Sequence, residues 1–169
     1  MRPLTAAKCA SPAIDRDLSA RPPEALARII ALLKQPGSID LAAVASAMKA
    51  LDCAPSALGE AVCADQANYV RTLLYRDARS EMLLLTWLPG QFSPVHDHGV
   101  SGCVVRVICG VATEHCYKSP EDAAVDRDAV VQDFGPGSVL HAADDACHTL
   151  GNGGADPLIT LHVYSPPLH

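Results

Sequence analysis

Polar residues two apart inside otherwise apolar runs are the chemically informative feature of this chain. In an extended strand such residues project from one face, so they deliver their functional groups to one compartment. Three sets stand out: Tyr69 with Arg71, His96 with His98, and Thr160 with His162 and Tyr164, the last alternating against Ile159, Leu161 and Val163. Cys103 forms a looser fourth set, sharing its face with Val105 and Val107. His96 and His98 offer two imidazoles to a single ion while Asp97 points away, and a third ligand has to come from elsewhere. His148, followed by Thr149-Leu150-Gly151-Asn152, is the preferred third ligand, with His141 as its rival. Three neutral imidazoles leave coordination positions open, as in catalytic rather than structural metal sites. Spacing alone does not distinguish Fe, Zn, Ni or Cu.

Two kinds of element must position these groups. Residues 1–23 mix Pro, Ser, Ala and Asp without period and read as an arm. Leu26, Ile29, Ile30 and Leu33 then recur at helical spacing, with Pro23 suited to the first turn and Gln35-Pro36-Gly37 ending the pattern. After Ser38, a capping candidate, Leu41, Val44, Ala45 and Met48 repeat the spacing, and 55–63 accommodates one more short helix. Beyond residue 66, short runs rich in Val, Ile, Leu, Thr and Tyr predict strands at 69–76, 81–88, 95–98, 103–108, 111–117, 129–133, 138–142 and 158–164. Strands without intervening helices predict a mainly β fold, a small antiparallel barrel or jelly roll behind N-terminal helices. The expected organisation is an arm (1–23) and one domain (24–169), helical over 24–65 and a β-barrel over 66–169. A small barrel can hold one ligand in its mouth, where several polar sets would make a site.

With 169 residues, 49% apolar and 19% charged, the chain is long and apolar enough for a real core and is neither disordered nor collagen-like. Its formal charge of −6 argues against nucleic acid and anionic membranes as partners, since neutralising phosphates needs a basic face. A small-molecule ligand is the better expectation. No apolar targeting segment opens the sequence and no run of 18 apolar residues occurs, so the seven cysteines predict a reducing, cytoplasmic setting with mostly free thiols. Cys9, Cys53, Cys63, Cys109, Cys116 and Cys147 read as small fillers or surface thiols, and His115 and His169 as surface groups.

The register of these residues carries a resemblance. Gly90, five residues, His96-x-His98, four residues, Cys103, six residues and Gly110 reproduce the first cupin motif, with Cys103 where that motif has Glu. His148-x-x-x-Asn152 matches the end of the second motif. Within the cupins the chain resembles the cysteine dioxygenases. Tyr69-x-Arg71, Trp87, His96-Asp97-His98-x-x-Ser101-x-Cys103, His148-x-x-x-Asn152 and Leu161-His162-Val163-Tyr164-Ser165-Pro166-Pro167 follow that family in order and spacing over 69–167. The resemblance implies a mononuclear non-haem Fe(II) enzyme that adds both atoms of O2 to the sulfur of L-cysteine, giving cysteine sulfinic acid. It implies that His96, His98 and His148 hold the iron, that Arg71 pairs with the substrate carboxylate, and that Tyr69 helps orient both. Tyr164 would place its hydroxyl near the sulfur and O2 with His162 hydrogen-bonding it, Cys103 would form a thioether with Tyr164, and Ser165-Pro166 is often cis. Three neutral ligands would leave the ion's charge uncompensated by protein and so favour a bound thiolate.

Rival readings are a dioxygenase for another small thiol carboxylate, such as 3-mercaptopropionate or mercaptosuccinate, or for cysteamine. Relatives specialised for mercaptopropionate carry Gln at the position of Arg71, and cysteamine has no carboxylate for Arg71 to bind. A non-catalytic metal-binding cupin has no need of the Tyr164 phenol, and a hydrolytic zinc cupin would need a carboxylate in register at the metal. The expected assembly is a monomer or weak homo-oligomer.

Overall fold

Two short helices form where the apolar spacing places them. In the computed structural model, which describes residues 14–119, 122–123, 129–141 and 147–168, α1 spans Ala27–Leu33 behind a 3₁₀ turn at Glu24–Leu26, and α2 spans Leu41–Lys49. Residues 1–13 of the arm, with Cys9, as well as Ala142 and His169, lie outside the described residues. Pro55–Ala61 is 3₁₀ and kinked at Gly59, which has φ of 53°. The cap of α2 is Asp40 rather than Ser38: one carboxylate oxygen accepts from the backbone N–H groups of Ala42 and Ala43, each at 3.0 Å.

The helix C-termini are satisfied from the β part of the chain. Arg79 donates to the carbonyls of Leu33 at 2.9 Å, Gly37 at 2.8 Å and Gln35. Arg106 donates to Leu51 at 2.7 Å, Lys49 at 3.1 Å and Met48. A guanidinium there pairs carbonyls that helix geometry leaves orphaned and sits favourably against the negative end of the dipole.

Among the described residues nine strands follow one another as β1 (Arg16–Asp17), β2 (Val70–Arg76), β3 (Glu81–Trp87), β4 (Gly102–Cys109), β5 (Ala112–Tyr117), β6 (Val130–Phe134), β7 (Val139–His141), β8 (Cys147–Asn152) and β9 (Leu158–Ser165). They form a six-stranded sheet of order β1-β2-β3-β9-β4-β7 and a three-stranded sheet of order β6-β5-β8. All pairings are antiparallel except β1 with β2. The result is a jelly roll of two sheets, not a closed barrel. Arg16–Asp17 shows that part of the predicted arm joins the larger sheet.

Strand alternation builds the core on both faces of the larger sheet. Met82, Leu84, Val104, Ile108, Ile159, Leu161 and Val163 pack under the helices, while Leu83, Leu85, Trp87, Cys103, Val105, Val107 and Tyr164 face the space between the sheets. Truncating a fully buried member such as Leu84 to Ala costs about 2–5 kcal/mol. No helix of the described residues is long and apolar enough to cross a membrane.

One predicted strand is replaced by something else. Residues 95–98 form no ladder beyond an isolated bridge at His96, and Pro94, with no N–H, cannot extend that bridge toward Phe92. Instead 90–96 runs beside β8 through isolated bridges, Phe92 with Gly151 and His96 with His148. His96 and His148 exchange both backbone hydrogen bonds at 2.9 Å. Gly151 permits this approach, since a Cβ there would stand 2.4 Å from both the Gln91 carbonyl oxygen and Phe92 Cγ. β8 itself carries no strand signal in the sequence, being short, polar and interrupted by Gly151.

Candidate active site

The zipped segment and β8 bring three imidazoles together. His96, His98 and His148 each offer a nitrogen within 4.8 Å of the other two. Their ring centroids lie 4.6 Å (His96–His148), 5.0 Å (His98–His148) and 5.1 Å (His96–His98) apart. The rival His141 stands exposed on β7, opposite Val104. Asp97, between the two, is exposed at the rim of the same pocket, its carboxylate accepting from the Gly99 N–H at 2.9 Å to fix the turn after it.

The hydrogen bonds behind the imidazoles determine which nitrogen faces the cluster. A carbonyl can only accept, so the contact of 2.9 Å from His96 Nδ1 to Pro94 O puts the proton on Nδ1 and the lone pair on Nε2. His148 Nδ1 donates to Glu114 Oε1 at 2.6 Å, and His148 Nε2 is left buried with no partner among the described residues. An orphaned buried imidazole nitrogen among two others is the donor set of a divalent-metal site, so these residues fit a metal. Burial and then the neighbouring His148 hold His96 and His98 below the ordinary imidazole value, His98 at about 4. Both stay neutral, as ligation requires.

The remaining polar sets meet in the same pocket, which is lined by Tyr69, Arg71, Trp87, the three histidines, His162, Tyr164 and apolar groups including Leu85, Val105, Leu150 and Leu168. Arg71, on β2, is buried, its backbone N–H donates to Asp15 Oδ2 at 2.8 Å, and its guanidinium meets no carboxylate among the described residues. Tyr69 stacks on Trp87 with centroids 4.1 Å apart. From Trp87 a chain of hydrogen bonds runs along one face of β9. Trp87 Nε1 donates to Thr160 Oγ1 at 2.9 Å, Thr160 meets His162 Nε2 at 2.8 Å, and His162 Nδ1 meets the Tyr164 hydroxyl at 3.1 Å. Trp87 only donates, so assigning Thr160's own proton to His162 Nε2 makes Nδ1 the protonated nitrogen, turned on the Tyr164 oxygen. That leaves the Tyr164 proton for another acceptor. Burial raises the Tyr164 phenol well above its ordinary value and lowers the His162 imidazole well below its own, so both are neutral.

Cys103 sits behind the pocket wall, buried and directly across from Tyr164 in the β4–β9 ladder, where the two side chains are hydrogen-bonded and burial pushes the thiol up. Cys53, Cys63, Cys109 and Cys116 are free thiols, and His115 is half-buried against Phe92 rather than simply at the surface. Ser165-Pro166 is cis.

The division of labour follows the sheets. Arg71, Cys103, His162 and Tyr164 stand on the six-stranded sheet, whereas His148 and Glu114 belong to the three-stranded sheet and His96 is bridged to it. Sequence reading missed Glu114 and Leu168, for which no motif or spacing signal exists. It also left the ion's charge uncompensated by protein, whereas Glu114 sets a carboxylate against His148.

A two-sheet jelly roll with three imidazoles converging in its mouth defines a cupin with a candidate metal centre. The fold is similar to that of a double-stranded β-helix protein from Klebsiella pneumoniae (TM-score 0.54, 22% identity, 63% of this chain and 80% of that one) and of a Thermus thermophilus protein (TM-score 0.53, 22% identity, 65% and 94%). The family described as cysteine dioxygenase type I matches residues 14–169, and the chain belongs to it. Human cysteine dioxygenase type 1 is 25% identical over 158 residues, covering 86% of this chain and 76% of its own length. The Danio rerio protein of the same name is 26% identical over 159 residues, with the same coverage. The chain is therefore a thiol dioxygenase.

Proposed function

We propose that this thiol dioxygenase acts on L-cysteine, using Fe(II) held by His96, His98 and His148, and yields cysteine sulfinic acid. The observation that carries the choice of a thiol carboxylate is Arg71, a buried guanidinium with no carboxylate partner among the described residues, in the same pocket as the three imidazoles. A bidentate fork matches a carboxylate, so the ligand expected between them has a carboxylate at one end and a soft donor at the other.

When bound, Fe(II) supplies a Lewis-acidic, redox-active centre that favours thiolate over thiol and activates O2. The protein's own groups do the positioning. Arg71 fixes the substrate carboxylate, and Tyr69, braced on Trp87, closes that side. Holding the sulfur in one orientation makes its oxidation effectively intramolecular. The Trp87-Thr160-His162 chain fixes the Tyr164 oxygen at the pocket wall, beside the place where the sulfur and O2 would react. Leu85, Val105, Leu150 and Leu168 limit water. The overall change, thiol plus O2 to sulfinic acid, balances without a further reductant.

The closeness of Cys103 and Tyr164 supports a thioether between them, in which a C–S bond replaces the Cys103 S–H and a ring C–H of Tyr164 while the two protons and two electrons released reduce O2 to H2O2. An oxygen electrode with anaerobically Fe(II)-reconstituted protein tests the reading against L-cysteine, 3-mercaptopropionate, mercaptosuccinate and cysteamine. Uptake of O2 equimolar with sulfinate, fastest with L-cysteine, is expected. Faster turnover of 3-mercaptopropionate or mercaptosuccinate would reassign the substrate, and no uptake with any thiol would overturn the reading.

A further inference from the structure

We infer that Glu114 is a positioning residue of the metal centre, holding His148 by its outer nitrogen and supplying the negative charge that the three ligands lack. The inference rests on the metal-binding part of the reading above and goes beyond it. Glu114 lies on β5, where its direct cross-strand partner is Leu150, which makes His148 its diagonal neighbour on the same face of the sheet. That separation suits a side chain as long as Glu. The contact between Glu114 Oε1 and His148 Nδ1 is 2.6 Å, a charge-assisted length.

Three observations argue that this contact serves the ion rather than merely filling space. First, Glu114 has no Lys or Arg partner among the described residues, although its side chain is only 17% exposed. An almost buried carboxylate on an imidazole N–H is well compensated when the far nitrogen of that imidazole binds a cation. Second, that far nitrogen, His148 Nε2, is buried, unpartnered and directed into the cluster. Third, the imidazoles are supported unequally, since His96 has a carbonyl behind it where His148 has a carboxylate. A carboxylate acceptor makes His148 the more basic ligand and fixes both its tautomer and its ring plane. Cys116, across from His148, adds a side-chain hydrogen bond to the same carboxylate.

The test is anaerobic titration of metal-free full-length protein with Co(II), and separately with Fe(II), comparing wild type with Glu114→Gln and Glu114→Ala. Glu114→Ala is expected to weaken binding by about 10- to 100-fold. Glu114→Gln keeps an accepting oxygen without the charge, so it is expected to fall between, with its Co(II) visible bands shifted. Both should leave the melting temperature of the metal-free protein near wild type, a separation that loss of general packing would not give. If Glu114→Ala does not fold, Glu114→Gln decides alone. Wild-type affinity and wild-type Co(II) bands in Glu114→Gln would overturn the inference, as would a wild-type chain that binds neither ion. Absence of thiol-dependent O2 uptake by Fe(II)-loaded wild type would overturn only the catalytic reading, because the affinity differences are measured without thiol or O2.

Discussion

A guanidinium buried without a counter-ion is unfavourable, and Arg71 has none among the described residues, a position that the carboxylate of the proposed substrate would complete. Arg71→Gln keeps a donor but loses the fork and the charge. It is expected to raise KM for L-cysteine about 10- to 100-fold, matching a charge-assisted pair of about 1.5–3 kcal/mol, with iron content unchanged. Oxygen-electrode kinetics alongside metal analysis check both halves, and unaltered kinetics would remove Arg71 from the substrate site. Cys103→Ala tests the neighbouring chemistry. Wild-type protein after turnover should lose the mass of two hydrogens and yield a peptide joining the Cys103 and Tyr164 segments; the variant should do neither yet retain measurable activity. An unchanged wild-type mass would defeat the cross-link. At this scale the sequence was legible wherever a residue's role follows from its own strand: Thr160, His162 and Tyr164 share a face as alternation requires. Glu114 was not, because its contact depends on which strand pairs with which.

Among the elements, the segment over 90–96 matters most to the site. It carries His96, and its pairing with β8 depends on the absent side chain of Gly151. In Gly151→Ala the new methyl would meet Gln91 and Phe92, an overpacking cost of about 1–3 kcal/mol. The expected outcome is a lower melting temperature together with weakened Co(II) binding, read by thermal denaturation and titration. A variant that is less stable but binds Co(II) normally would show that His96 is placed by other contacts. This element also departs from its periodicity: the His-x-His spacing predicts a ladder strand, whereas the segment makes only isolated bridges, and the two imidazoles converge all the same. The helices were legible in their apolar faces and not in their ends, since Arg79 and Arg106 reach the helix carbonyls from distant parts of the chain.

For the molecule as a whole, buried histidines couple stability to pH. His96, His98 and His162 all lie below the ordinary imidazole value of 6.5, with burial the first cause in each. The unfolded chain therefore takes up protons that the folded chain refuses. The sign follows: their contribution is fully present above about 6.5 and is lost as pH falls toward about 4, the value for His98. Melting temperatures of the metal-free protein should fall across that window, and bound metal should hold them up to lower pH. A flat profile in the metal-free protein would contradict the burial of these groups. The two-layer class was legible from strands without intervening helices, whereas the choice between closed barrel and open pair of sheets depended on pairings that no local pattern encodes.

The allocation of the site between the two sheets has a consequence for how such an enzyme diversifies. Arg71, His162 and Tyr164 stand on the larger sheet, whereas His148 stands on the smaller one and His96 is bridged to it. A substitution at Arg71 can thus alter the fit of a thiol without touching the strand that carries His148. Selectivity and metal retention are thereby separable by mutation.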